Sequence, residues 1–121
     1  MEFKDPQAIY EQIADYVCDQ LQLGTWAAGG RLPSVRELAA NLQVNPNTVA
    51  RAYEQLEGLG IVLAKRGLGY FAADDAPGRI AAQRREAFLA HELPQFFRRL
   101  ALLGIGWDEV AARYQAVLAK A

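Results

Sequence analysis

Asn45, Asn47 and Thr48 stand within four consecutive positions, Asn45-Pro46-Asn47-Thr48. A carboxamide offers a donor and an acceptor side by side, the pattern that pairs with an adenine edge, and a threonine offers a hydroxyl and a methyl that suit thymine. Arg51 follows within the next turn, and Arg36 precedes them in the run Pro33-Ser34-Val35-Arg36-Glu37. A guanidinium can fork onto a phosphate or a guanine edge. Further along, Lys65-Arg66-Gly67-Leu68-Gly69 joins two cations to two glycines. These are residues for reading hydrogen-bond patterns and neutralising phosphate, and they carry little that would make or break bonds. The single cysteine, Cys18, and the single histidine, His91, lie far apart, and no Ser/His/Asp set is recognisable. Gly67-Leu68-Gly69 sits between two β-prone runs, so it is no phosphate-cradling loop ahead of a helix. His91 beside Glu92 gives no metal-ligand set. The sequence therefore points away from an enzyme, a cofactor and a metal.

Short helices must hold these groups. Asp5-Pro6 is a cap followed by proline at the first helical position, and Ile9, Ile13, Tyr16, Val17 and Leu21 recur at helical spacing. This predicts a first helix over 6–23, stopped by Gly24. Ser34 with Glu37 fits a capping box and predicts a second helix over 35–42, with Leu38, Ala39 and Leu42 as its apolar stripe. Gln43-Val44-Asn45 is a brief turn, and Asn45-Pro46 repeats the cap-then-proline signal. Val49, Ala52, Tyr53 and Leu56 then mark the buried face of a third helix ending near Gly58 or Gly60. Residues 61–64 and 70–72 are short β-prone runs about a glycine-bearing turn, which reads as a hairpin. Tyr10, Tyr16, Trp26 and Tyr53 read as core residues, and Cys18 as a small buried or half-buried side chain.

Two helices joined by a three-residue turn form a helix-turn-helix, whose second helix enters the DNA major groove by its N-terminal end. Asn45, Asn47 and Thr48 occupy that end. Both helix starts present free amides suited to phosphate. The cap roles of Ser34 and Asn45 and the turn role of Gly67 stand beside any contact with DNA and do not exclude it.

Asp74-Asp75-Ala76-Pro77-Gly78 reads as a linker. Beyond it the pattern changes. Leu89, Leu93, Phe96, Leu100 and Leu103 are spaced 4, 3, 4, 3, a packing seam widened by Phe88 and Phe97. Pro94 interrupts the helix expected over 79–103, which predicts a kink or a break there. A last helix over 107–120 places Val110, Tyr114, Val117 and Leu118 on one face. Two such helices cannot cover all these apolar groups by themselves, so the expectation is a symmetric homodimer formed through them.

The chain has 121 residues, 52% of them hydrophobic and 22% charged, with a formal net charge of −1. That is an ordinary globular composition. Charge is unevenly placed: residues 1–75 hold 6 Lys/Arg and 10 Asp/Glu, and residues 76–121 hold 7 and 4. Within the first part the acids Glu2, Asp5, Glu11, Asp15 and Asp19 precede residue 20, and Arg31, Arg36, Arg51, Lys65 and Arg66 follow residue 30. A basic face set apart from an acidic one can attract a polyanion despite a near-neutral total. One thiol forms no internal disulfide, the acidic start is unlike a signal peptide, and no apolar run approaches a membrane span, so a cytoplasmic setting without membrane contact is expected.

The runs Gly30-Arg31-Leu32-Pro33-Ser34-Val35-Arg36-Glu37-Leu38-Ala39, Val44-Asn45-Pro46-Asn47-Thr48-Val49 and Arg66-Gly67-Leu68-Gly69-Tyr70-Phe71, with the opening Ile9-Tyr10-Glu11-Gln12-Ile13, resemble the winged-helix domain of the GntR family of bacterial transcription regulators. The resemblance covers about residues 6–73. The short tail and the Asn-Pro-Asn-Thr-Val form resemble the YtrA-like branch. The resemblance implies DNA contacts at Arg36, Thr48 and Gly67, with Asn47 and Arg51 as further carry-overs. An arginine that often stands at the position of Pro46 in the broader family is absent, so base reading must shift to other residues.

The reading is thus a mainly α protein with a small β-hairpin: a winged helix-turn-helix over 1–73, a linker over 74–78 and a two-helix dimerisation segment over 79–121. Ser34, Arg36, Asn45, Asn47, Thr48, Arg51, Arg66 and Gly67 are the expected DNA-binding residues. Phe88, Leu89, Leu93, Phe96, Phe97, Leu100, Leu103, Val110, Tyr114 and Val117 are the expected dimerisation residues. The expected function is a sequence-specific regulator of transcription, a repressor acting as a homodimer on an inverted-repeat operator of double-stranded DNA. The resemblance implies target operons that include ABC transporter genes. Two alternatives stay open: a sensor with a small-molecule effector bound in the dimer tail, and a winged-helix protein-interaction module.

Overall fold

The computed structural model describes residues 9–121; the expected cap at Asp5-Pro6 lies outside them. Three helices come first: α1 (Ile9–Leu23), α2 (Val35–Leu42) and α3 (Pro46–Gly58). A hairpin of β1 (Val62–Lys65) and β2 (Gly69–Ala72) follows, then α4 (Ala76–Ala87), a π-helical turn (Phe88–Glu92), α5 (Leu93–Leu103) and α6 (Trp107–Lys120). The mainly α fold with one hairpin is as expected from the sequence. The chain divides into two compact units, one running through Gln83 and one over Arg84–Ala121.

In the first unit α1 and α2 both pack on α3. Ile13, Val17 and Leu21 of α1, Leu38 and Leu42 of α2, and Val49, Tyr53 and Leu56 of α3 form the centre of its core. Spacings of three and four residues put each set on one helix face, which is why each helix needs the others to cover it. Tyr53 is fully enclosed, at 0% exposure. Cys18 is buried, and Tyr10, Tyr16 and Trp26 pack against the core while only partly enclosed.

The hairpin is antiparallel, with Val62 opposite Ala72 and Lys65 opposite Gly69. Its strands run one residue beyond the expected ones at the turn end. A third, very short edge was not anticipated. Arg31 bridges Phe71 in antiparallel fashion, Leu32 N–H donates to Tyr70 C=O (2.9 Å), and Ala72 N–H donates to Gly30 C=O (2.9 Å). The residues before α2 are thereby tied to the hairpin.

The expected linker is largely helical. Ala76 opens α4, and Ala76 and Ile80 are buried in the same core as α1–α3. Burial of these two side chains overrides the local Pro-Gly signal. Pro77 is tolerated because the first helical turn needs no intrahelical N–H donor there. Asp75 closes the start: Arg79 N–H donates to its C=O (3.1 Å), and the Arg79 guanidinium pairs with its carboxylate at 2.9 Å.

In the second unit the chain passes Pro94 without stopping. Leu93 N–H donates to Phe88 C=O, a bond one residue wider than the α-helical pattern. Proline in an α-helix clashes with the carbonyl four residues back; a π turn just ahead of it opens that region. The π turn thus takes the place of the kink or break expected at Pro94, and its wider spacing shifts helical phase within residues 88–92. Gly104, at φ +68°, ends α5, with Ile105 N–H donating to Leu100 C=O (3.0 Å). No side chain of α5 or α6 is buried.

Candidate nucleic-acid interface

The start of α2 is built by the predicted capping box. Glu37 N–H donates to Ser34 Oγ and Ser34 N–H donates to Glu37 Oε1, both at 3.1 Å. The Ser34 N–H on its carboxylate, then the Ser34 side chain, and least the nearby Arg31, hold the Glu37 carboxyl below the usual carboxylate range. Arg36, next to Glu37, is exposed at this end. The turn between α2 and α3 works because Gln43 takes a left-handed conformation (φ 57°) and closes α2 onto Ala39 and Ala40.

Asn45 caps α3: Asn47 N–H donates to Asn45 Oδ1 at 2.8 Å, and Pro46 occupies the first turn. The Asn45 oxygen is therefore engaged, while the side chains of Asn47 and Thr48 extend from a fixed helix end. Asn45, Asn47, Thr48 and Arg51 come together around one polar hollow of about 220 Å³. Its remaining wall is Tyr10 of α1. The Arg51 guanidinium carbon lies 4.0 Å from the Tyr10 ring centroid, a cation–π contact. Tyr10, a core residue by its spacing in the sequence, packs its ring against the core and also meets Arg51. No sequence signal pairs the two, since the contact depends on how α1 crosses α3.

The two helix starts are locked together from below. Tyr53 of α3 donates its hydroxyl hydrogen to Pro33 C=O at 2.6 Å, just ahead of Ser34. Burial, then Glu37 and Tyr70, raise the Tyr53 phenol well above its ordinary range, so it stays neutral and donating.

At the hairpin, Leu68 N–H donates to Lys65 C=O at 2.9 Å, closing a turn with Gly67 at φ +77°. A side chain at Gly67 would point into open space, so the conformation, not crowding, calls for glycine. Arg66 and Gly67 are exposed at this tip, and the Lys65 ammonium lies 4.3 Å from the Phe71 ring centroid. Arg31, absent from the expected site, runs along the hairpin edge close to Gly69. Its pairing with Phe71 is non-local, which is why the Gly29-Gly30 loop concealed it.

The expected dimerisation residues stand as follows. Phe88, Leu89, Phe96, Phe97, Leu103, Tyr114 and Val117 are exposed, and Leu93, Leu100 and Val110 are half-buried. Phe96, Leu100, Val110, Tyr114 and Val117 share an apolar hollow of about 400 Å³ with Ile105, Glu109 and Arg113. Trp107, 60% exposed, and Leu102, 86% exposed, add apolar surface that the sequence reading did not include.

A polar-ended helix set behind a tight turn, with a short hairpin carrying cations beside it, defines a winged-helix DNA-binding domain. Residues 9–71 match the family described as bacterial regulatory proteins, gntR family. The chain is 37% identical over 109 residues to the HTH-type transcriptional regulator YhcF of Bacillus subtilis (strain 168), covering 90% of this chain and 88% of YhcF. It is 43% identical over 75 residues to the HTH-type transcriptional repressor YtrA of the same strain, covering 60% of this chain and 58% of YtrA. A putative transcriptional regulator of the GntR family from Bacteroides thetaiotaomicron superposes with a TM-score of 0.82 at 43% identity, covering 93% of this chain and 98% of that one. The chain belongs to the GntR family, and is similar within it to YtrA. It is a DNA-binding helix-turn-helix regulator of transcription, and its relatives are regulators rather than enzymes. No helix among the described residues is long and apolar enough to cross a membrane.

Proposed function

We propose that this chain represses transcription as a homodimer joined through its second unit, each reader domain occupying one half of an inverted-repeat operator. The observation that carries the dimer is that α5 and α6 enclose no side chain while exposing Phe96, Phe97, Trp107, Tyr114 and Val117. Contiguous apolar surface of this kind marks an association site. Asn47 and Thr48 read base edges in the major groove, with Asn45 holding the helix end. Ser34, Arg36 and Arg51 meet flanking phosphates or a guanine edge, and Arg66 and Gly67 bring the wing against the duplex. The repressor sign is supported by the name given to YtrA. The resemblance supports targets among operons that carry ABC transporter genes.

Binding-site selection from random duplexes with the purified chain tests this reading. The expected product is an inverted repeat with half-site centres one helical turn, about 10 base pairs, or a multiple of it apart. Recovery of a single asymmetric site would overturn the dimeric reading. A ligand-responsive variant of the reading has one observation in its favour, the apolar hollow between α5 and α6. Thermal-shift screening against small apolar metabolites tests it, since a ligand that binds only the folded form raises Tm.

A further inference from the structure

Arg51 is the only cation on α3, and it lies five positions beyond the helix start at Pro46. Base edges are reached by the first residues of a recognition helix. Arg51 is thus set back from them, on the side of α3 that faces the first turn of α1. There Tyr10 presents its ring, 4.0 Å from the guanidinium carbon. Tyr10 is itself held, its hydroxyl donating to Glu11 Oε1 at 3.2 Å and its ring packed against the core. A ring face engages a guanidinium without consuming its N–H donors. The donors of Arg51 therefore remain available at the hollow shared with Asn45, Asn47 and Thr48. A long exposed arginine otherwise samples many rotamers, and ordering it on binding weakens the contact it makes.

We propose that Tyr10 is a positioning residue for DNA binding: its ring holds the Arg51 guanidinium ready to take a backbone phosphate beside the recognition helix. The proposal deepens the DNA-binding reading and rests on it. Because the ligand is a phosphate, the effect is the same on any duplex sequence.

The test is fluorescence anisotropy with a labelled mixed-sequence duplex over a salt series, using the full chain. Tyr10→Leu removes the ring face and is expected to weaken binding about three- to tenfold. Tyr10→Phe keeps the face, loses only the bond to Glu11, and stays within about twofold of the parent chain. In an Arg51→Met background, Tyr10→Leu has no further effect. Arg51→Met itself lowers the slope of log K against log salt by about one, as loss of one phosphate contact requires. Equal weakening by Tyr10→Leu with and without Arg51 would overturn the proposal, since Tyr10 would then act through packing alone. Should Tyr10→Leu fail to fold by circular dichroism, the salt slope of Arg51→Met and the affinity of Tyr10→Phe decide. An unchanged slope, or a Phe variant as weak as Arg51→Met, overturns the proposal. A parent chain that binds neither this duplex nor a selected operator overturns the DNA reading as well; a parent that binds while the slope stays fixed overturns only the role of Tyr10.

Discussion

Tyr53→Phe removes one hydroxyl from the centre of the reader domain and should leave the ring in place against Tyr70, whose centroid is 4.7 Å away. The lost bond is short, 2.6 Å to Pro33 C=O, and its donor belongs to a side chain with 0% exposure. An intramolecular hydrogen bond contributes about 0.5–1.5 kcal/mol net, and a stranded buried partner costs about 1–3 kcal/mol. Pro33 is half-buried, so water can partly serve its freed carbonyl and the cost stays near the bottom of that range. A loss of about 1 kcal/mol lowers Tm by about 4–8 °C for a domain of this size. The pH dependence provides a second signature. The phenol is raised in the folded state and ionises near pH 10 (about its usual value) in the unfolded chain. Between those values the unfolded state holds fewer protons, so the contribution of Tyr53 is intact below about pH 10 and declines above it, by at most about 1.4 kcal/mol per pH unit. The Phe variant lacks this component. Its stability starts lower at neutral pH and meets that of the parent at about pH 11. Urea unfolding followed by circular dichroism at several pH values measures both effects, with an unchanged m-value as the control for two-state behaviour. Parallel pH profiles, or equal midpoints at neutral pH, would refute the claim that this bond fastens α3 to the entry of α2.

Arg36→Ala should weaken operator binding by about 1–3 kcal/mol and relax preference at one position per half-site if the guanidinium reads a base edge; uniform weakening across sequences assigns it to phosphate, and unchanged affinity at moderate salt removes it from the site. Gly67→Val places a β-branched residue at φ +77° in open space, so it strains the turn by about 1–3 kcal/mol without a clash. DNA binding should fall by more than the folded fraction accounts for, and a fall matching that fraction leaves Gly67 as a turn residue only. Leu100→Glu puts a charge in the apolar hollow of the second unit. The expected result by light scattering is a monomer with a folded reader, its operator affinity lower by about 10²–10⁴; a variant that stays dimeric means the interface lies elsewhere.

The reader domain was legible where its signals are local. Ser34 and Glu37 satisfy each other three residues apart, so α2 could be delimited from the sequence alone. Asn45-Pro46 did the same for the start of α3. Signals that depend on distant partners were not legible. Ala76-Pro77-Gly78 has the local character of a linker, yet Ala76 and Ile80 belong to the core, and only the assembled helices provide the cavity that draws them in. Arg31 joins the hairpin through one bridge, a contact with no periodicity to read. Pro94 announced an irregularity, but whether a helix kinks, breaks or widens depends on packing, and here it widens into a π turn. In the candidate interface the residue types of Asn47, Thr48 and Arg51 were apparent, whereas their common hollow and its Tyr10 wall required the crossing of α1 over α3.

The second unit raises a question of stability that bears on regulation. Its helices α5 and α6 have 11 and 14 residues. Isolated helices shorter than about 12–15 residues are marginal in water, and most helical stability in proteins comes from packing an apolar face. Neither helix buries a side chain within the chain, and the Glu109–Arg113 ion pair is exposed, so it adds little. Leu93, Leu100 and Val110 are only half-buried within the chain, and the partner in the proposed dimer would add the burial they lack. In such a dimer, folding of this segment and association would become one equilibrium, as in obligate dimers. Diluting the chain below its dimerisation constant would cost the segment its order and separate the two readers together. Operator occupancy would then rise with the square of chain concentration below that constant and with its first power above it. On the proposed reading the apolar surface of the second unit would set the concentration at which the regulator begins to hold DNA, while Asn47 and Thr48 on the first unit would set which DNA it holds.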